Sequence, residues 1–239
     1  MKFRYIFIFI VLLTGILSYL YSREIYSFYL KTYYITFKKV NPEQAADKAW
    51  RLYKSEDYDS LRSYLQDMLF LFPRNSEIQR IAGLYYMDKE DPEKGARLLL
   101  RSLDDNPNRI LLARSIEVLF QKKLYVDIIE QLSRFRIEDD LQLTYMRGVS
   151  YYKLGRYREA LQSLLLSEKL GNKTVEVYYY IALVYENMEK YAEAIQSLSR
   201  ARELNPMDRE VMRTLIRLYR KDGQLTRAER LLRRRVHRR

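Results

Sequence analysis

The chain has 239 residues, 48% of them hydrophobic, and its 43 Lys and Arg against 31 Asp and Glu give a formal net charge of +12. Only 7 Gly and 5 Pro beside 23 Tyr exclude a disordered chain and point to helices packed with large side chains. With no cysteine and a single histidine, disulfides, thiolate metal sites and most nucleophile–base pairs are excluded.

In chain order, the first feature is Tyr5 to Tyr21, a 17-residue run without charge, preceded by Lys2 and Arg4. As a helix it spans about 25 Å at 1.5 Å per residue, near the lower limit for crossing a bilayer. Tyr19 and Tyr21 suit a membrane–water interface. A signal-peptidase site needs small residues at alternate positions, which Ser18-Tyr19-Leu20-Tyr21-Ser22-Arg23 does not supply. Residues 1–22 are therefore expected to be an uncleaved single-pass transmembrane anchor. The short basic N-terminus favours export of the remainder to the extracytoplasmic (periplasmic) side, although Arg23, Lys31, Lys38 and Lys39 weigh the other way.

Residues 23–41 are rich in aromatics: Tyr26, Phe28, Tyr29, Tyr33, Tyr34 and Phe37. Ile25, Tyr29, Tyr33, Thr36 and Val40 would line one helical face. One reading continues the anchor helix and packs it on the first repeat. The other lays it among lipid headgroups or against a neighbouring membrane protein.

From residue 42 the chain repeats itself. Gly148, Ala182 and Ile216 are 34 residues apart, as are Tyr151, Tyr185 and Tyr219. The same step links Tyr157, Tyr191 and Leu225, then Ala160, Ala194 and Ala228, then Leu164, Leu198 and Leu232. A fixed step of this size marks a solenoid. Within a unit, Leu141 to Lys153 and Tyr157 to Leu170 are amphipathic runs broken at Gly155, which reads as helix, tight turn, helix. The small residues Gly148 and Ala160 fall where the two helices would cross. Extended upstream, the register gives units 42–75, 76–108, 109–140, 141–174, 175–208 and 209–239. Pro42 suits a first helical turn, and Asn205-Pro206 ends a helix. No linker rich in Gly, Pro or Ser divides residues 42–239, so they read as one domain.

The small residue, the tyrosine three later, the alanine, the large apolar residue and the proline (Ala182, Tyr185, Ala194, Leu198, Ala201, Pro206) resemble the tetratricopeptide repeat family. Met212 and Ile216 depart from its pattern in the last unit, and Arg147 stands where the family prefers leucine. The resemblance implies an all-α, right-handed superhelical solenoid of six helix hairpins, here behind the expected anchor. It also implies a concave groove lined by one stripe of each first helix. Carried onto this chain, that stripe is Trp50, Tyr53, Arg80, Leu84, Met87 and Phe120. It continues with Tyr145, Val149, Tyr152, Lys153, Tyr179 and Leu183, and ends on Arg213, Arg217, Arg220 and Lys221. Trp50 and Leu84 occupy places where some family members clamp a C-terminal carboxylate, so that activity is not implied.

No catalytic constellation emerges. His237 lies among arginines near the C-terminus. The carboxylate clusters Asp88 to Asp91, Asp104-Asp105 and Glu138-Asp139-Asp140 fall at turns between helices, and no phosphate-cradling glycine loop is present. Neither an enzyme nor a cofactor is expected. The C-terminal segment is strongly basic, with Arg233, Arg234, Arg235, Arg238 and Arg239 at its end. It suits an anionic partner, such as lipid headgroups or an acidic protein face, with nucleic acid ranked last. The expected function is a membrane-tethered scaffold whose groove holds a protein partner with an acidic portion, within a cell-envelope assembly such as a secretion, motility or cell-wall machine. The alternatives are a structural subunit that self-assembles through its solenoid, and a cytoplasm-facing membrane-bound regulator.

Overall fold

A computed structural model describes residue 22, residues 24–104 and residues 107–236, with side chains as far as 231. Residues 24–30 are α-helical and pass into a π-helical stretch, Lys31–Phe37. Twelve α-helices follow among the described residues. They are α1 (Pro42–Lys54), α2 (Tyr58–Leu71), α3 (Ser76–Lys89), α4 (Pro92–Ser102), α5 (Arg109–Gln121) and α6 (Tyr125–Leu132), then α7 (Leu141–Lys153), α8 (Tyr157–Lys169), α9 (Val175–Asn187), α10 (Tyr191–Leu204), α11 (Arg209–Lys221) and α12 (Leu225–Val236).

Local chemistry sets the helix starts. Side-chain oxygens of Asn41, Asp57, Asn75, Asp91, Asp140, Thr174 and Asp208 accept backbone N–H groups of the first turns of α1, α2, α3, α4, α7, α9 and α11. Pro42 and Pro92 sit in first turns, where a missing N–H leaves no intrahelical bond unmade. The turn inside a pair has its own rule. Glu56, Lys123, Gly155, Glu189 and Gly223, each just after a first helix, all have φ between 58° and 75°. One left-handed residue reverses the chain at five of these turns.

The contacts divide the chain into two compact units, Met1–Asn108 and Arg109–Arg239. In the first, Ala45, Ala49, Leu61, Leu65, Met68, Ile78, Ile81, Tyr85 and Tyr86 form a buried cluster. Helices α3 and α4 meet so closely that a Cβ on Gly95 would lie 2.3 Å from the backbone nitrogen of Met87. The N-terminal helix is fastened to α2: Leu30 is buried, and Tyr26 and Tyr34 donate hydrogen bonds to the two carboxylate oxygens of Asp67. The described part of this stretch packs on α2, within the first repeat.

In the second unit Ala160, Leu164, Ile181, Ala182, Ala194, Leu198, Leu215 and Ala228 belong to one core. Gly148 meets α8 closely, since a Cβ there would lie 2.7 Å from Leu164 Cγ. Leu225 departs from the expected column and is 59% exposed, whereas Tyr157 and Tyr191 in the same column are half-buried. It lies in the last helix pair of the described residues. Helix α6 ends at Leu132, and Ile137 reaches the interior from the following turn.

The expected transmembrane helix, residues 1–22, lies outside the described residues save Ser22. Among the described residues no helix is long and apolar enough to cross a membrane. The longest of α1–α12 has 14 residues, about 21 Å at 1.5 Å per residue against a hydrocarbon core of about 30 Å. The membrane-anchored reading is corrected accordingly. What the structure supports is the all-α repeat solenoid; the described residues lend no support to the single-pass, periplasmic and envelope-tethered expectations.

Candidate functional site

First helices of the pairs carry the side chains that sequence reasoning placed in the groove. The two compact units present them separately. In the first unit, Trp50 on α1 is half-buried and its indole N–H donates to Glu77 Oε1 on α3. Glu77 also pairs with Arg80 one turn on. Tyr53 packs edge-on against Trp50, with centroids 5.6 Å apart, and the Lys54 ammonium lies 5.9 Å from the indole centroid. Asp47, Trp50, Arg51 and Lys54 line an open depression of about 600 Å³. Leu84 is half-buried. Met87 is buried at 8% exposure, so it supplies core rather than a contact surface.

In the second unit the aromatics join into a connected row. Ring centroids are 6.4 Å apart from Phe120 to Tyr145, 6.2 Å from Tyr145 to Tyr180 and 5.7 Å from Tyr180 to Tyr152. Tyr179 meets Tyr180 at 6.0 Å. The Lys153 ammonium stands 5.5 Å from the Tyr152 centroid and 5.8 Å from that of Tyr180. These rings are half-buried, and burial pushes the hydroxyls of Tyr145, Tyr152 and Tyr180 up from the ordinary tyrosine range. Val149 is buried beneath the row and Leu183 is half-buried. Tyr180 was missed from sequence. In the run Tyr178-Tyr179-Tyr180 the family stripe selects Tyr179, whereas the link between Tyr145 and Tyr152 is the residue after it.

The cationic end is largely committed within the chain. Arg217 and Lys221 on α11 both reach the Glu186 carboxylate on α9, at 2.7 Å and 2.8 Å. Arg213 pairs with Glu210 one turn away, at 3.6 Å. Arg220 is exposed and has no ion-pair partner among the described residues. Arg217 and Lys221, two of the four cations expected at this end of the groove, are thus paired within the chain. Arg233, Arg234 and Arg235 lie in α12 beyond the last described side chain, and Arg238 and Arg239 lie outside the described residues.

The described residues hold no group of three or more His, Asp or Glu able to hold a metal ion. The half-buried acids Asp140 and Asp208 and the buried hydroxyl of Ser167 have structural duties. Asp140 and Asp208 cap helices, and Ser167, Asn172 and the Leu141 carbonyl form a bonded trio closing α8 onto α7.

Residues 175–208 match the tetratricopeptide repeat model. Among solved structures, the chain is similar to MamA as the RS-1 ArsTM double mutant. That match has a TM-score of 0.58 and 16% identity, and covers 66% of this chain and 90% of that one. It is also similar to YrrB, described as a TPR protein with an unusual peptide-binding site, with a TM-score of 0.57, 18% identity and coverage of 77% and 96%. A MamA from MSR-1 gives a TM-score of 0.51, 24% identity and coverage of 69% and 97%. No curated protein sequence matches the chain. These likenesses show the fold, a solenoid of tetratricopeptide type.

Proposed function

We propose that the chain is a protein-binding scaffold that holds a partner polypeptide along the first helices of its pairs. The observation that carries this reading is the connected row Phe120–Tyr145–Tyr180–Tyr152, flanked by Tyr179 and Lys153. Half-buried tyrosines offer large faces with few torsions left to freeze, which is how a binding surface gains affinity at low ordering cost. The peptide-binding site named for YrrB supports the same reading by analogy of fold. Because Arg217 and Lys221 are occupied by Glu186, the row favours an apolar or aromatic peptide over a strongly acidic one.

Selection of a random peptide library on the full chain tests it. Enriched sequences are expected to be aromatic or apolar and to lose about tenfold in affinity, some 1.4 kcal/mol, in Tyr179→Ala or Lys153→Glu. Enriched peptides indifferent to both substitutions, or no enrichment at all, would overturn the reading. A second reading, in which the protein assembles with copies of itself, is favoured by a different observation: the exposed aromatics of residues 25–37.

A further inference from the structure

The N-terminal helix is firmly mounted on one side and bare on the other. Its inner side is fixed by buried Leu30, by the Tyr26 and Tyr34 hydroxyls on Asp67, and by ring contacts of Tyr26 with Phe70 at 5.8 Å and of Tyr34 with Tyr64 at 6.3 Å. Its outer side exposes Ile25 at 63%, Phe28 at 73%, Tyr29 at 60% and Phe37 at 75%, with Tyr33 and Ile35 also exposed. Nearly half of the exposed large hydrophobic residues of the described chain thus fall within one short stretch. A patch of this kind marks an interaction site.

We propose that this aromatic face is the surface through which two copies of the chain associate, packed antiparallel about a two-fold axis. The surface rests on the self-assembly reading and is independent of the tyrosine row of the second unit. Three features point to a second copy. First, the π-helical stretch winds more loosely than an α-helix, so residues four apart stay in line, and Tyr29 stacks on Tyr33 with centroids 6.0 Å apart. Ile25, Tyr29, Tyr33 and Phe37 therefore form a straight row of four large side chains. Turned end for end, that row meets itself large against large, Ile25 on Phe37 and Tyr29 on Tyr33.

Second, the charges fit the same symmetry. Between Ile25 and Phe37 the only charged residue is Lys31, while Arg23 and Glu24 precede the row and Lys38 and Lys39 follow it. Antiparallel pairing sets the neutral pair Arg23-Glu24 of each copy beside Lys38 and Lys39 of the other, with Glu24 facing the two lysines at both ends at once. Parallel pairing would set Lys38 and Lys39 of one copy against the same two lysines of the other. A two-fold interface requires this kind of self-complementarity.

Third, the area is adequate. Aromatic side chains bury about 150–250 Å² each, so the exposed fractions of these six residues amount to roughly 700 Å² per copy. Stable interfaces bury about 800 Å² per partner.

The test uses the full chain, which has no native cysteine. Thr32→Cys places one thiol beside the axis and Gln196→Cys places one on a remote surface. Under mild oxidation the first is expected to give a disulfide-linked dimer and the second is not. Sedimentation of the unmodified chain is expected to show a dimer that weakens at least tenfold when Phe28→Glu and Phe37→Glu are combined, with helical circular dichroism unchanged. Glu24→Lys is expected to weaken it too, and Lys38→Glu with Lys39→Glu on the same chain to restore it. A dimer indifferent to these changes would overturn the surface while leaving self-assembly standing. A monomer at every concentration would overturn both, as would attachment of the face to phospholipid vesicles in place of a second copy.

Discussion

Glu186 shows how one side chain redirects the reading of its neighbours. Its carboxylate is about one-tenth exposed and is held by Arg217 and Lys221 from the next pair. Burial alone raises its pKa, but the Lys221 and Arg217 hydrogen bonds and charges outweigh burial and hold it below the ordinary glutamate value. A carboxyl depressed in the folded state stabilises the fold fully above its unfolded value, near 4.3, and that contribution drains as pH falls through the folded value. Glu186→Gln should therefore cost about 1 kcal/mol at neutral pH, a figure kept low because both cations are half-exposed and screened. The difference from the parent chain should vanish in acid. Urea unfolding at neutral pH and well below the carboxylate range measures both. From sequence the cluster Arg213, Arg217, Arg220 and Lys221 reads as a site awaiting an acidic ligand. The acid that takes two of them stands 31 and 35 residues upstream, and only the superposition of α9 and α11 brings it into reach. Trp50 is similar: its ring was legible as surface, but its bond to Glu77 was not.

At the level of the helix pair, the sequence was far more readable. The 34-residue step located Gly148, which does meet α8 closely, at Leu164, because a small residue is required where two helices approach; Ala160, expected at the same crossing, is fully buried. The reversal inside each pair was only half legible. Gly155 announces its left-handed conformation, whereas Glu56, Lys123 and Glu189 adopt the same one without a glycine to mark it. Side chains with a Cβ are strained there by about 1–2 kcal/mol, part of which glycine returns as backbone entropy. Glu189→Gly should raise stability by about 0.5–1 kcal/mol, read as a higher thermal midpoint, and a lowered midpoint would refute the strain. The opposite sign is expected at Gly95, where an added methyl meets the Met87 backbone rather than a yielding side chain. Gly95→Ala should lower stability by about 1–3 kcal/mol, measured by denaturant midpoint.

Across the whole molecule, the repeat register placed a unit boundary between residues 108 and 109, but nothing in the residue types said that the chain divides into two compact units there, because no linker composition marks it. The wealth of tyrosine was plain, and its consequence appears at high pH. Burial pushes the Tyr64 and Tyr85 hydroxyls up to about 12, and the bond to Asp67 takes Tyr26 to about 12 as well. For groups raised in the folded state, the stabilisation is complete below their unfolded value near 10 and is lost as pH climbs through the folded value. Tyrosinate absorbance of the native chain should thus rise later and more steeply than in denaturant, and coincident curves would contradict the burial of these rings. Among the described residues, the main helix contacts within each unit run between near neighbours in the chain. Pulled by its C-terminal end, a unit built this way has no long-range clasp to resist the force. It should peel like a zip, each yielding hairpin lengthening the tether by its 34 residues, on the order of 110 Å, in a sawtooth whose teeth are alike.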